Sequence, residues 1–154
     1  MEMSELLHED GVVANLKAGS KKQILQELSQ LAAKLTGMHE RTIFDVLLER
    51  ERLGTTGIGR GIAIPHGKLP GLEKLYGMFV RMEKPIDFQA IDEQPVDLIF
   101  LLLAPESAGA DHLKALARVS RLLRDRSTCD KLRGTDDAEA LYAILSESAD
   151  VQAA

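Results

Sequence analysis

A nearly continuous apolar run from Val96 to Leu103 constrains the fold of this chain more than any other feature. A strand with apolar side chains on both of its faces must be covered on both faces, as the inner strands of layered α/β proteins are. Segments with helical periodicity lie before and after this run. We therefore predict a single α/β domain, residues 1–154, in which helices flank a sheet on both faces.

Four segments carry the signals of helices. Ser20 and Gln23 have the spacing of a capping box, and the apolar residues Ile24, Leu28, Leu31 and Leu35 then share one helical face before Gly37. Three more helices are predicted with these residues on the core side: Ile43, Phe44, Leu47 and Leu48 in Glu40–Arg52; Leu113, Leu116, Ala117 and Leu123 in His112–Asp125; Leu141, Ile144 and Leu145 after Asp136.

Two further strands and a loose tail complete the predicted organisation. Gly61–Ile64 is a short apolar segment that ends at Pro65, and Leu75–Met82 is a longer one. The hairpin-like residues 83–85 favour a mixed sheet over a purely parallel one. From about residue 147 the apolar periodicity stops, so we expect a loose tail there.

Charge and cysteine content exclude several classes of protein. The formal net charge of −5 argues against a nucleic-acid binder, which needs a basic surface to displace counterions. Cys129 is the single cysteine and has no CxxC partner, so an intramolecular disulfide is impossible. The N-terminal residues lack the pattern of a signal peptide, and the strongly apolar run Leu98–Ala104 is too short to cross a bilayer. We therefore expect a cytoplasmic protein with no membrane insertion.

The segment ERERLGTTGIGRGIAIPHGK, residues 49–68, carries the chemistry. Four glycines fall within eight residues, with Thr55 and Thr56 among them, and His66 follows directly after Pro65. Closely spaced glycines let backbone N–H groups converge on an anion, and threonine hydroxyls add donors. A neutral imidazole is a good nucleophile near neutral pH, and a phosphoramidate remains reactive enough for onward transfer. This pattern favours a phosphohistidine at His66, with an arginine upstream to stabilise phosphoryl oxygens.

Other readings of these residues remain open at this point. A histidine after a strand is often structural, glycine-rich loops are often only turns, and the threonines could cap such a turn. GIGRGI differs from a nucleotide-binding fingerprint because it precedes its strand and lacks the third glycine at the required spacing. A metal site on His66 and His112 lacks a clear third ligand, and His112 could equally be an exposed residue at a helix start.

The segment resembles the active-site motif of the fructose/mannitol-type enzyme IIA superfamily of the phosphotransferase system. It looks most like the nitrogen-related branch, enzyme IIA-Ntr, and the resemblance covers nearly the whole chain. It implies a mixed sheet of about five strands and a phosphorylated histidine, matching His66, in a shallow cleft. Arg50 matches the family's arginine better than Arg52 does, and His112 matches a second histidine that helps orient the imidazole or the phosphoryl group.

The resemblance also implies the partners. A histidine phosphocarrier protein, charged by a phosphoenolpyruvate-dependent enzyme I, would donate the phosphoryl group, and no metal or other cofactor would be needed. The phosphorylation state would then control regulatory targets such as transporters or sensor kinases. The alternatives are a sugar-specific enzyme IIA that passes phosphate to an enzyme IIB, and a pure binding module in which His66 is vestigial.

Overall fold

A mixed six-stranded sheet with helices on both faces makes up residues 2–153, which the computed structural model describes, with side chains as far as residue 150. The strands are β1 (Leu7–Leu16), β2 (Gly57–Gly59), β3 (Ile62–Ala63), β4 (His66–Leu69), β5 (Tyr76–Ile86) and β6 (Val96–Pro105). The helices are α1 (Met3–Leu6), α2 (Lys21–Thr36), α3 (Glu40–Leu53), α4 (Ala110–Arg124), α5 (Arg126–Arg133) and α6 (Ala138–Ala153).

The apolar run is the inner strand β6. Strand β5 pairs with it antiparallel on one side, while β3 and β4 pair with it parallel on the other. Strand β1 extends the sheet beyond β5 in parallel, and β2 extends it beyond β3. All residues of β6 are buried except the half-buried Asp97. This confirms the α/β class and the mixed sheet, with six strands among the described residues.

Alternate residues of β6 supply two separate cores. Leu98, Phe100 and Leu102 contact a cluster formed with α1, α4, α5 and α6. Ile99 and Leu101 contact a second cluster formed with α2 and α3. Since fully burying one such side chain contributes about 1.5–3 kcal/mol, both helical layers are held mainly by this strand and β5.

Helix α2 begins and ends as its sequence predicts. The Ser20 side chain accepts a hydrogen bond from the Gln23 N–H, and the Gln23 side chain accepts one from the Gly19 N–H. Gly37 adopts a left-handed conformation with φ 76° and donates its N–H to the Ala33 carbonyl. Both ends of the helix therefore satisfy backbone groups that would otherwise lack partners.

The predicted core face of α4 is wrong in part: Leu123 is buried and Leu116 packs against the first core as predicted, but Leu113 and Ala117 do not. Leu113 is 66% exposed and Ala117 is also exposed, whereas the buried residues are His112, Ala115, Val119, Leu122 and Leu123. The buried positions follow the i, i+3, i+7, i+10 and i+11 spacing of one helical stripe. Tertiary packing turned this stripe, which begins at a histidine, toward the sheet.

Several elements differ from the prediction or were missed by it. Strand β1, helix α5 and the short strands β2 and β4 were not predicted, and residues 83–85 lie inside β5 instead of forming a turn. The tail expected to be loose from about residue 147 continues α6, and Ala149 is buried in the first core. A strand of two to four residues is too short to show a period, and an alanine carries little hydrophobic signal.

None of the helices in the described part of the chain is both long enough and apolar enough to cross a membrane.

Candidate functional site

His66 is the first residue of β4, which pairs with the inner strand β6. The sequence predicted a histidine after the end of a strand, but the chain resumes pairing with β6 at once. Between β3 and β4 the Pro65 carbonyl accepts a hydrogen bond from the Leu102 N–H at 3.0 Å, and His66 then lies opposite Leu102. Pro65 ends β3 without separating the chain from β6, so the backbone that carries the imidazole stays paired with β6.

Both nitrogens of the His66 imidazole have defined partners. Nδ1 lies 2.9 Å from the Ile64 carbonyl oxygen, and the Arg50 Nε donates to Nε2 at 3.2 Å. A carbonyl only accepts, and a guanidinium only donates. The proton therefore resides on Nδ1, and the lone pair of Nε2 faces Arg50.

The surroundings keep this imidazole neutral. Burial lowers the pKa of His66 from its ordinary value, and the positive charge of Arg50 lowers it further. The hydrogen bond to Ile64 and the charge of Glu51 act in the opposite direction without reversing the shift. At neutral pH the ring consequently keeps the free electron pair that a nucleophile requires.

Arg50 reaches His66 from the last turn of α3. Its Nη1 donates to the Gly54 carbonyl at 2.9 Å, and this second hydrogen bond fixes the orientation of the guanidinium. Arg52 instead pairs with the exposed Glu49. The arginine that contacts His66 is therefore Arg50, as the resemblance favoured. Helix α3 approaches β4 closely at Gly67, where an added Cβ would clash with the Val46 Cγ1.

His112 lies beside His66 and is buried. Its ring centroid is 5.7 Å from that of His66, and only 7% of the residue is exposed. Its Nδ1 has no hydrogen-bond partner among the described residues. Burial lowers the pKa of His112, and the neighbouring His66 and Lys68 add to this effect. The alternative of an exposed residue at a helix start is therefore wrong.

Thr55 and Thr56 fasten the loop that precedes β2. The Thr55 hydroxyl donates to the Phe88 carbonyl at 3.4 Å and accepts from the Gly57 N–H at 3.1 Å. Thr56 is buried, and its hydroxyl donates to the carboxylate of Glu51. Both hydroxyls are thus engaged within the chain, and their role as phosphate donors stays a prediction.

Glu51 is the buried charged residue of the site that sequence reasoning missed. It lies in the polar run ERER, residues 49–52. A signal was present, because residues 43, 47 and 51 are spaced four apart and the first two are core leucine or isoleucine. Within the described part of the chain, no three His, Cys, Asp or Glu side chains are grouped so that they could hold a metal ion.

We expect the two histidines to make folding less favourable in mild acid. Their pKa values lie below 6.5 in the folded protein, whereas the unfolded chain titrates near 6.5. Their contribution to stability is complete above that pH, and it is lost as the pH falls through the lowered values, because the unfolded state then binds more protons. Urea unfolding should show that the free energy of unfolding falls more between pH 7.5 and pH 5.5 for the wild type than for the His66→Gln/His112→Gln variant. Equal losses would contradict this expectation.

The fold and the site together define a class of protein: an α/β domain that presents a neutral, arginine-bonded histidine at a sheet edge. The family of phosphoenolpyruvate-dependent sugar phosphotransferase system EIIA 2 domains matches residues 5–148. The chain belongs to this family. The resemblance predicted from residues 49–68 is confirmed.

Particular relatives indicate the branch. The chain is 59% identical over 146 residues to a nitrogen regulatory protein of Bradyrhizobium diazoefficiens, with 95% of each chain covered. It superimposes with a TM-score of 0.88 on the nitrogen regulatory protein IIA-Ntr from Neisseria meningitidis, at 36% identity over 93% of this chain and 98% of that one. Mannitol enzyme IIA from Escherichia coli, solved in complex with phosphorylated enzyme IIB, shares the fold with a TM-score of 0.76 at 18% identity, covering 92% and 99%.

Proposed function

We propose that this chain is a phosphoryl-carrier regulatory protein of the nitrogen-related phosphotransferase system. It accepts a phosphoryl group on Nε2 of His66 from a histidine phosphocarrier protein. The observation that supports this most directly is the pair of hydrogen bonds that leaves Nδ1 protonated and Nε2 with a free electron pair beside Arg50. The nucleophilic nitrogen, the hydrogen bonds that orient it and a neighbouring cation therefore lie together at His66.

The transfer follows from these contacts. Nε2 attacks the phosphorus of the donor phosphohistidine, a new N–P bond forms, and the old N–P bond breaks with its electron pair returning to the donor nitrogen. Nδ1 keeps its proton, and the Ile64 carbonyl stabilises the positive charge that develops on the ring. The Arg50 Nε loses its acceptor when Nε2 bonds to phosphorus, so it can then donate to phosphoryl oxygens.

His112 is suited to receive the incoming charge. A phosphoryl group brings about −1.5 to −2 charges, which would raise the pKa of a buried imidazole beside it. A protonated His112 would then donate to a phosphoryl oxygen. The reaction uses no metal here, since the donor is a phosphoramidate with a nitrogen leaving group and the guanidinium supplies positive charge.

A regulatory role rather than sugar uptake is favoured by the relatives of this chain. The chain is 59% identical to one nitrogen regulatory protein over 95% of its length, whereas the mannitol protein shares the fold at 18%. Phosphorylation would change the charge of the cleft at His66 and so the set of partners that bind it. Targets such as transporters or sensor kinases would be bound in one state and released in the other.

Phosphoryl transfer in a purified system tests this proposal. Incubation with enzyme I, the phosphocarrier protein and phosphoenolpyruvate should add one acid-labile phosphate, and ³¹P–¹⁵N coupling should locate it on Nε2 of His66. A mannitol-type enzyme IIB, added next, should leave the label in place. Absence of labelling would refute the carrier function, and rapid loss of label to enzyme IIB would favour the sugar-specific relay.

A further inference from the structure

Glu51 is a buried carboxylate to which the proposed reaction assigns no task. It follows Arg50 directly in α3 and is only 8% exposed. Its Oε1 lies 2.9 Å from the Lys21 Nζ and accepts the Thr56 N–H at 3.0 Å, while Oε2 accepts the Thr56 hydroxyl. A buried carboxylate is tolerated only when paired and hydrogen-bonded, and here every such partner anchors the loop after α3 or the start of α2.

The bonds that orient Nε2 of His66 lead to the loop that this carboxylate holds at Thr56. Arg50 donates its Nε to Nε2 and its Nη1 to the Gly54 carbonyl. Gly54 in turn donates its N–H to the backbone carbonyl of Glu51 at 3.1 Å, and it lies two residues before Thr56. The position of the acceptor that aligns the guanidinium therefore depends on how the loop is held at Thr56.

The bond at Nδ1 leads to the same place from the other direction. Nδ1 donates to the Ile64 carbonyl, and the Ile64 N–H donates to the Thr56 carbonyl at 3.0 Å. Both nitrogens of His66 are thus connected by hydrogen bonds to one short loop. Among the described residues, the side-chain contacts that fasten Thr56 in that loop come from Glu51.

We propose that Glu51 is a positioning residue for phosphoryl transfer, which holds Thr56 so that Arg50 and the Ile64 carbonyl orient the imidazole of His66. This inference rests on the proposed function. Among the described residues, the imidazole of His66 bonds to Arg50 and to the Ile64 carbonyl, and Glu51 acts on it through Thr56. Lys21 balances the charge of Glu51. The Lys21 ammonium also lies 4.7 Å from the centre of the Phe88 ring, and the backbone carbonyl of Phe88 accepts a hydrogen bond from the Thr55 hydroxyl.

Matched neutralisation of two glutamates on the same helix provides the test. Glu51→Gln keeps the size of the side chain but loses the charge and one acceptor, so the rate of transfer from the phosphocarrier should fall about tenfold or more. Glu49→Gln removes an equal charge from an exposed side chain that pairs with Arg52, and its rate should stay at the wild-type value. A wild-type rate in folded Glu51→Gln would overturn the proposal.

Two further measurements separate positioning from simple stabilisation. In an Arg50→Ala background, Glu51→Gln should slow transfer much less than it does alone, since the effects of residues that act through one another are not additive. The proposal would be overturned if Glu51→Gln slowed transfer by the same factor in both backgrounds. ¹⁵N spectra of the unmodified protein should show His66 held as the Nδ1–H tautomer in the wild type and exchanging between tautomers in Glu51→Gln. This readout needs no phosphate, so it decides the role of Glu51 even if wild-type labelling fails.

A milder variant covers the case in which Glu51→Gln does not fold. Thr56→Val removes only the hydroxyl that Glu51 holds, and Thr56→Ser retains it. The valine variant should show the slower transfer and the tautomer exchange, and the serine variant should behave as the wild type. Wild-type behaviour of the valine variant would overturn the proposal.

Discussion

Replacing His66 with alanine should abolish phosphorylation of the protein and leave its fold intact. The nucleophilic Nε2 is lost, and the neighbouring His112 is only 7% exposed. The backbone of residue 66 keeps its pairing with Leu102, so the sheet should survive the change. Labelling from phosphoenolpyruvate, followed by circular dichroism, measures both expectations.

His39 provides the matched control for that variant. It is exposed at the start of α3, where its Nδ1 accepts the Arg41 N–H, and asparagine can replace it as a cap. His39→Asn should label as the wild type does. Robust labelling of His66→Ala would remove His66 from the mechanism.

The set of proteins captured from cytosol should differ between the unmodified and the phosphorylated wild type. The His66→Ala variant should retain the unmodified set under phosphorylating conditions.

Arg50→Lys should slow phosphoryl transfer about tenfold or more, although the charge is retained. Lysine cannot donate to Nε2 and to the Gly54 carbonyl at the same time from one rigid plane, as Arg50 does. Loss of one hydrogen bond to a charged group costs about 1.5–3 kcal/mol, which corresponds to that change in rate. Single-turnover transfer from the phosphorylated carrier protein is the appropriate measurement.

Arg52→Lys is the control for the arginine prediction. Arg52 is exposed on the same helical turn and pairs with Glu49 at 2.6 Å. Its replacement should leave the transfer rate unchanged, whereas Arg50→Ala should be at least as slow as Arg50→Lys. Wild-type rates in both Arg50 variants would show that the guanidinium has no part in the transfer.

Much of the fold could be predicted because its signals are local or periodic. The apolar run at Val96–Leu103 predicted a covered inner strand, and Ser20, Gln23 and Gly37 predicted both ends of α2. The core face of α4 could not be predicted, since Leu113 carries a stronger apolar signal than His112 and yet points outward. Strands β2 and β4 exist only because β3 and β6 provide backbone partners for them.

By itself, the sequence determined the class of the domain, the glycine- and threonine-rich loop, and a histidine placed directly after a proline. Only the tertiary structure decided which nitrogen of His66 carries the proton and what holds the loop. Arg50 lies sixteen residues before His66, and Lys21 lies thirty residues before Glu51, so no local pattern links these side chains. Their hydrogen bonds form because α2, α3 and β4 pack against one another, and packing between distant segments is a property of the folded chain alone.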